Sequence, residues 1–271
     1  RDRVVERLVK LGDSAVSEVI RGAVFPRPSG RFALDRAVPI RQAVWILSRI
    51  GTPFAMQTVR RYLLGGNASV KMVAAHCVGL ERDVSARAFL ATLVVQDELP
   101  VRLKAAEALG RIGGAEAVVA LLASLRHGVS DRFLEHAIIF SLITIADHDA
   151  TLVALSDSNP NVRRAGLIAL DQMPASRLTR DQVIPLLDTD DPELQQAALD
   201  VISRREGWAG EISRLIAEWL AKPSLTESQR TALTGALLAN SGDAKLQVTV
   251  AAALVDPATP VENRRALLGI I

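Results

Sequence analysis

Histidine and carboxylate side chains cluster in the middle of the chain, where they could bind a metal ion. The cluster comprises His127, Glu135, His136, Asp147, His148 and Asp149. A zinc or iron site needs three or four converging ligands, and ligands on one helix are spaced three or four residues apart. Glu135 and His136 are adjacent, so they point about 100° apart on a helix, and no His-Glu-x-x-His motif occurs. The pattern therefore favours histidines hydrogen-bonded at helix junctions, and the sequence predicts no metal and no other cofactor.

A second group of polar residues interrupts an otherwise simple helical pattern and is the leading candidate for a specialised binding spot. It comprises Arg132, Glu135, His136, Asp171 and Gln172. Alternatively, such residues hold neighbouring helices together, because charged side chains at helix ends commonly serve as caps. Asp157 with Arg163 and Asp188 with Gln195 are candidate pairs for a ladder of hydrogen bonds between repeats. The sequence leaves both roles open for this group.

Arginines recur on the second helices of the predicted helix pairs and could form a basic stripe. They are Arg60, Arg61, Arg87, Arg126, Arg180 and Arg214. If these helices line a concave face, their side chains would bind phosphate or an acidic protein, and Arg60 and Arg126 are the positions to test. The acidic residues Glu116, Asp181, Glu211 and Glu218 would interrupt the stripe, and 32 basic residues against 30 acidic ones give a net charge of only +2. Few aromatic residues are available to stack on bases. Polyanion binding is therefore an alternative function, and nucleic acid is disfavoured as the partner.

The usual catalytic constellations are not recognisable in the sequence. Spacing and chain order identify no Ser-His-Asp set, and no glycine-rich phosphate-binding loop occurs. The single cysteine, Cys77, excludes an intrachain disulfide, a four-cysteine zinc site and a c-type haem attachment. No apolar run reaches the roughly 18 residues that a membrane-spanning helix needs. The sequence predicts that this chain is not an enzyme and has no membrane span.

Short amphipathic helices are the elements that must position these residues. Two stretches within residues 100–125 show apolar residues at helical spacing: Val101, Ala105, Ala108, Leu109 and Ile112, then Val118, Leu121, Leu122 and Leu125. Gly113 and Gly114 separate the stretches, because glycine tolerates the left-handed conformation that a helix end needs. Each apolar stripe is wider than one partner helix can cover, so this helix pair requires further helices on both sides.

The helix pair recurs along the chain. Equivalent apolar positions follow at spacings of 31, 33, 28 and 32 residues: Val70, Val101, Leu134, Val162 and Leu194. A period of this size is typical of a solenoid. The register predicts an all-α, right-handed α-solenoid of about eight helix pairs, with a ninth first helix from Pro260 that has no partner. We therefore expect residues 1–271 to form a single domain and to be a fragment of a longer protein. The longest break, Phe25–Val38, could carry binding or connect two pairs.

The motif Val-Arg-x-x-Ala-Ala-x-Ala-Leu-Gly-x-Ile-Gly at Val101–Gly113 resembles HEAT repeats, especially the short bacterial kind also seen in phycobilin-lyase-like proteins. The resemblance covers nearly the whole chain. It implies a solenoid of HEAT-like helix pairs and a scaffold that binds a protein partner or holds other domains of its parent chain. A lyase-like chaperone for a bilin or haem protein is a further alternative.

Three further stretches resemble the HEAT region of large planctomycete-type secreted proteins, which also carry a sugar-dehydrogenase-like β-propeller and a c-type haem domain. They are EHAIIFSLITIAD at Glu135–Asp147, RRAGLIALDQM at Arg163–Met173 and DPELQQAALDVISRREGWA at Asp191–Ala209. This resemblance implies that the chain is the non-catalytic spacer of an extracytoplasmic redox protein. The haem chemistry cannot reside here, because the chain has no Cys-x-x-Cys-His motif.

Overall fold

A computed structural model describes residues 2–24, 37–126, 131–205, 208–239 and 242–270. Within these ranges the secondary structure comprises seventeen α-helices and three short 3-10 helices, with no β-strand. The fold class is therefore all-α, as predicted. Of the sequence predictions, His127 and residues 25–36 of the long break lie outside the described ranges, whereas Ala37 and Val38 begin a helix.

Contacts between Cα atoms divide the chain into two units, Arg1–Thr151 and Leu152–Ile271. The helices that begin in the first unit are α1 (Asp2–Leu11), α2 (Asp13–Val24), α3 (Ala37–Ile50), α4 (Pro53–Arg61), α5 (Ala68–Leu80), α6 (Arg87–Gln96), α7 (Leu99–Ile112), α8 (Ala115–Arg126), α9 (Arg132–Ile145) and α10 (His148–Leu152). A 3-10 helix, Val84–Ala86, precedes α6.

The first helices of the predicted pairs stack on one another in the first unit. Helix α3 packs against α1 and α5, α7 packs against α5 and α9, and the second helices α6 and α8 pack together. Side chains such as Leu47, Leu109 and Leu142 are fully buried between these layers. This arrangement is that of stacked helix pairs, in which each pair buries its apolar stripes against its neighbours.

Small residues allow the first helices to approach closely. A Cβ atom at Gly79 of α5 would lie only 2.9 Å from Cα of Ala108 in α7, a distance that real Cβ contacts do not reach. The predicted break between α7 and α8 is confirmed, since α7 ends at Gly113, whose φ is +76°. Glycine adopts this left-handed conformation without steric cost.

The second unit repeats the same stacking. Its helices are α11 (Pro160–Gln172), α12 (Arg180–Val183), α13 (Pro192–Arg204), α14 (Ala209–Ala221), α15 (Glu227–Ala239), α16 (Ala244–Val255) and α17 (Val261–Leu268). Helix α13 packs against α11 and α15, and α14 packs against α16. Trp219 of α14 is buried in this core, and Trp208 lies just before the same helix under the guanidinium of Arg205, 5.0 Å from its ring centroid.

Two short second helices change from α-helix to 3-10 helix along their length. Helix α10 has five residues and continues as a 3-10 helix at Val153–Ser156. Helix α12 has four residues and continues as a 3-10 helix at Ile184–Leu186. Pro185 explains the second case, because proline supplies no backbone N–H for a continuing α-helix.

Candidate functional site

The arginines predicted to form a basic stripe are partly engaged in contacts between successive helix pairs. Arg60 of α4 donates from Nη1 to Oδ2 of Asp83 at 2.6 Å, and the two side chains are only 20% and 11% exposed. Arg87 of α6 donates from Nη1 to Oε2 of Glu116 in α8 at 2.9 Å. These guanidinium groups join one pair to the next, so the structure does not support the proposed polyanion-binding stripe.

The remaining members of the stripe are exposed on their helices. Arg61 lies at the end of α4, Arg126 at the end of α8 and Arg180 at the start of α12. Arg214 of α14 lies 4.0 Å from Glu218, one turn along the same helix. Exposed pairs of this kind contribute little to stability and are screened by salt.

First helices carry a second set of contacts between pairs. Arg41 of α3 donates to Oγ of Ser69 in α5 at 2.7 Å, whereas Lys71 of α5 donates at 2.6 Å to Oδ2 of Asp97, at the end of α6 in its own pair. In the second unit, Arg164 of α11 forms an ion pair with Glu193 of α13. A ladder of polar contacts therefore joins successive repeats, as the structural interpretation of the sequence predicted.

Asp188 and Gln195, a predicted pair of the ladder, each contact other residues. The amide of Gln195 donates to the backbone carbonyl of Leu187 at 2.7 Å, whereas Oδ1 of Asp188 accepts hydrogen bonds from Lys222 at 3.1 Å and Gln229 at 3.2 Å. Oδ1 of Asp157 accepts the backbone N–H of Asn159 at 2.9 Å, and its pairing with Arg163 stays a prediction. The short side chain of Asp157 favours this local turn contact.

Asp171, a predicted binding residue, belongs to this ladder. Its carboxylate is 14% exposed and forms ion pairs with Arg205 at 2.8 Å and with Arg204 at 3.2 Å. Arg205 also donates to the carbonyl of Leu178 and to Oγ of Ser176. The adjacent Gln172 is exposed. The structure therefore gives Asp171 a structural environment and leaves Gln172 at the surface of the second unit.

Arg132, Glu135 and His136 lie in the first two turns of α9, in the first unit. Arg132 and His136 are exposed and Glu135 is partly buried. They lie beside two aromatic side chains, Phe133 and Phe140, which are 76% and 63% exposed. The seven-residue separation of the phenylalanines places them on one face of the helix. The predicted polar spot is thus the edge of an exposed aromatic surface.

The described members of the predicted histidine and carboxylate cluster, which exclude His127, do not converge. Among the described residues, no group of three His, Cys, Asp or Glu side chains is placed to hold a metal ion. Asp147 accepts the backbone N–H of Ala150 at 3.0 Å, and Nδ1 of His148 lies 3.5 Å from Oδ1 of Asp149. The thiol of Cys77 is buried, and burial raises its pKa to about 11. Cys77 is therefore protonated at neutral pH and unsuited to nucleophilic chemistry.

Sequence reasoning missed a cluster on the outer side of three first helices in the first unit. Trp45 of α3 and His76 of α5 meet edge to face, with ring centroids 5.4 Å apart and planes at 62°. Burial, followed by the positive charges of Arg111 and Lys104 in α7, lowers the pKa of His76, whereas Glu107 raises it. Trp45 remains 41% exposed. We call Trp45, His76 and Arg111 the aromatic–arginine cluster.

The repeat register could have revealed this cluster. His76, Glu107 and Phe140 lie six residues after the equivalent apolar positions Val70, Val101 and Leu134. Trp45 lies six residues before Gly51, as Glu107 lies six residues before Gly113. Residues in the same register position lie side by side when first helices stack. The sequence interpretation compared only buried positions between repeats, so these partly exposed residues were not recognised as neighbours.

The second unit contains a shallow cavity of about 370 Å³ between the α14–α15 connection and α17. Arg230 and Arg265 line it, but each pairs with a glutamate one turn away on its own helix, Glu227 and Glu262. The amide of Asn263 donates to the backbone carbonyls of Leu220 and Lys222. The polar groups of this cavity are thus largely used within the unit.

Comparison with known proteins supports the repeat architecture. Residues 62–142 match the model of the HEAT-repeat family, a span that contains His76, Arg111, Glu135 and His136. No curated protein matches the chain in sequence. In the part of the chain that the structure describes, no helix is long and apolar enough to cross a membrane.

Several solved structures are similar in fold. An archaeal HEAT-like repeats protein from Thermococcus onnurineus NA1 is 15% identical with a TM-score of 0.45, covering 83% of this chain and 97% of that one. The CpcE–CpcF complex of phycocyanin lyase from Nostoc sp. PCC7120 is 19% identical with a TM-score of 0.39, covering 79% and 92%. Human deoxyhypusine hydroxylase with glycerol is 18% identical with a TM-score of 0.38, covering 96% of each chain. Such similarity carries no information about the activity of this chain, so the absence of catalysis stays a prediction.

Proposed function

We propose that this chain, which contains HEAT repeats at residues 62–142, is a protein-interaction scaffold. The observation that carries the proposal is the exposed aromatic face of α9, formed by Phe133 and Phe140. Large apolar side chains at the surface are costly to hydrate, and contiguous ones commonly mark interaction sites. Because α9 stacks on α7, this face is presented on a rigid support.

The pairing of charged residues between repeats also supports a scaffold function. Arg60, Arg87 and Asp171 pair with residues of a neighbouring repeat, and these contacts hold successive repeats in register. A helical stack stabilised in this way can hold a partner at a set position without catalytic groups of its own.

The partner is either a separate protein or another domain of the same parent chain. The second possibility includes the narrower expectation that this chain spaces the propeller and haem domains of an extracytoplasmic redox protein. That expectation depends on the resemblance of three stretches in the sequence and extends the proposed scaffold function.

Site-specific photocrosslinking tests the scaffold proposal. A photoreactive amino acid placed at position 133 or 140 of the full-length protein, expressed in its native cells, should give discrete crosslinked products that mass spectrometry assigns to a partner or to another domain of the parent. Val119 of α8, which is 60% exposed, is the matched control position. Products of equal yield at all three positions, or no products, would contradict the proposal.

A further inference from the structure

We infer that the aromatic–arginine cluster of the first unit is a docking site for an acidic peptide segment in which a carboxylate side chain neighbours an apolar residue. This inference rests on the proposed scaffold function and names the chemistry of the partner. The cluster is built from three successive first helices, α3, α5 and α7, which pack against one another in that order.

Two contacts establish the cluster as one surface. The ring of Trp45 meets the ring of His76 edge to face. A Cβ atom at Gly79, one turn after His76 on α5, would lie 3.8 Å from Cδ of Arg111. The aliphatic part of the Arg111 side chain therefore reaches from α7 onto α5, where its positive charge acts on His76.

The guanidinium of Arg111 lacks an acceptor. Within the described ranges it makes no hydrogen bond or ion pair, and its Nη1 is shielded from water. Two other cations of α5 and α7 do have acceptors, because Lys71 contacts Asp97 and Arg102 donates to the carbonyls of Val94 and Ser124. A shielded donor without a partner is unfavourable. A partner carboxylate does not reach the shielded Nη1, but it would accept charge-assisted hydrogen bonds from the solvent-facing N–H groups of the same guanidinium.

The local charge fits a single anion. Lys104 and Glu107 neutralise each other through contacts of 2.8 and 3.1 Å, and His76 is neutral at pH 7 because its pKa is lowered from 6.5. Arg111 therefore contributes the net charge of the cluster. A nucleic-acid strand would bring several phosphates close to Glu107, so one carboxylate is the better match.

Trp45 provides the surface that the apolar residue of the peptide would contact. Its partly exposed indole ring lies beside the histidine ring and offers an apolar wall. Tryptophan and arginine are the side chains that most often dominate protein interfaces. An aliphatic or aromatic residue next to the carboxylate would cover the indole while the carboxylate meets Arg111.

Peptide selection tests this inference. The probe is a phage-displayed library of random 16-residue peptides, selected on the wild-type protein and on the Arg111→Gln variant. We expect wild-type selections to enrich Asp or Glu next to an apolar residue. The consensus peptide, made synthetically, should bind Arg111→Gln and Trp45→Ala at least tenfold more weakly than wild type. Arg49→Gln is the matched control, because Arg49 occupies the equivalent register position on α3, two residues before its glycine.

Three outcomes would overturn the inference: enriched peptides without acidic residues, equal affinity of wild type and Arg111→Gln, or no enriched peptide at all. If Arg111→Gln fails to fold, Trp45→Ala alone decides, since its side chain is partly at the surface. Tighter binding of a 20-residue oligothymidylate that depends on Arg111 would assign the site to nucleic acid instead. Crosslinks from position 133 together with any of these outcomes would leave the scaffold function standing while rejecting this site.

Discussion

Gly110 of α7 and Ser141 of α9 touch where the two first helices cross. A Cβ atom at Gly110 would lie 2.7 Å from Oγ and 3.0 Å from Cα of Ser141. The hydroxyl of Ser141 donates to the backbone carbonyl of Ala106 at 2.9 Å, so it is fixed in place. The absence of one side-chain atom at Gly110 therefore sets the distance between α7 and α9, the fourth and fifth helices in the stack of first helices.

Substituting Gly110 with alanine should destabilise the first unit. Alanine favours a helix over glycine by about 1 kcal/mol, but the added methyl group has no space, and overpacking costs about 1–3 kcal/mol. We expect Gly110→Ala to lower the urea midpoint measured by circular dichroism. Gly22→Ala is the control, because a Cβ at Gly22 of α2 meets nothing within 4 Å. A rise in the midpoint for both variants would show that the helices are not held at this separation.

The ion pair between Arg60 and Asp83 should affect stability more than ligand binding. Both side chains are largely buried, and Asp83 also accepts the backbone N–H of Ser85 at 3.1 Å. A double-mutant cycle of Arg60→Ala and Asp83→Ala should give a coupling of about 1–2 kcal/mol, within the range for residues in direct contact. Arg61→Ala, at the adjacent exposed position, should have an effect below about 0.5 kcal/mol. No measurable coupling would return Arg60 to the candidates for ligand binding.

The carboxylate of Asp171 should be required for the stability of the second unit. Asp171→Asn removes the charge that Arg204 and Arg205 share while keeping the shape of the side chain. We expect a loss of about 2 kcal/mol in the free energy of unfolding, since hydrogen bonds to charged groups contribute about 1.5–3 kcal/mol. Glu218→Gln breaks an exposed contact of 4.0 Å with Arg214 and should change stability by less than about 0.5 kcal/mol. Equal effects of the two variants would mean that Asp171 is not a structural residue.

The sequence predicted the helices well because apolar periodicity and turn residues are local signals. Helix α13 begins at Pro192 and ends at Arg204, and α14 spans Ala209–Ala221, both as predicted. The change from α-helix to 3-10 helix after α10 and α12 was not predicted, because a stretch of four or five residues shows less than one and a half turns of periodicity. At that length α-helix and 3-10 helix cannot be distinguished by pattern.

The candidate site was harder to predict because its contacts cross from one repeat to another. Arg60 and Asp83 are 23 residues apart, and Arg87 and Glu116 are 29 apart. A list of arginines on second helices cannot tell which of them find a carboxylate in the next pair. Trp45 and His76 are neighbours because they occupy similar positions in successive repeats. The sequence interpretation compared only the buried apolar positions of the repeats and therefore did not place these two residues together.

The thiol of Cys77 should make stability fall at high pH. Burial raises its pKa from 9.0 in the unfolded chain to about 11 in the folded protein. The folded state therefore holds the thiol proton more tightly, and this contribution is lost as the pH rises from about 9 through about 11. Comparing wild type with Cys77→Ala across pH 8–11 isolates the effect, since other groups titrate in both. A pH dependence that is identical in the two proteins would show that the thiol is not desolvated.

Direct titration of His76 should reveal whether Arg111 lies beside it. Burial is the largest cause of the lowered pKa, and the charges of Arg111 and Lys104 lower it further. Arg111→Gln should therefore raise the pKa of His76 towards 6.5 without reaching it, whereas Glu107→Gln should lower it. Nuclear magnetic resonance of the imidazole signals measures both shifts, and Arg49→Gln provides a control of equal charge change.

The same lowered pKa has a consequence for stability at acidic pH. Because the folded state disfavours the protonated imidazole, the free energy of unfolding should decrease as the pH falls below about 6.5 and protonation of His76 becomes favourable in the unfolded chain. His76→Gln should remove this part of the acid dependence. A pKa of His76 that is insensitive to Arg111→Gln would place the guanidinium away from the ring, and the acidic peptide would then have no cation to meet beside Trp45.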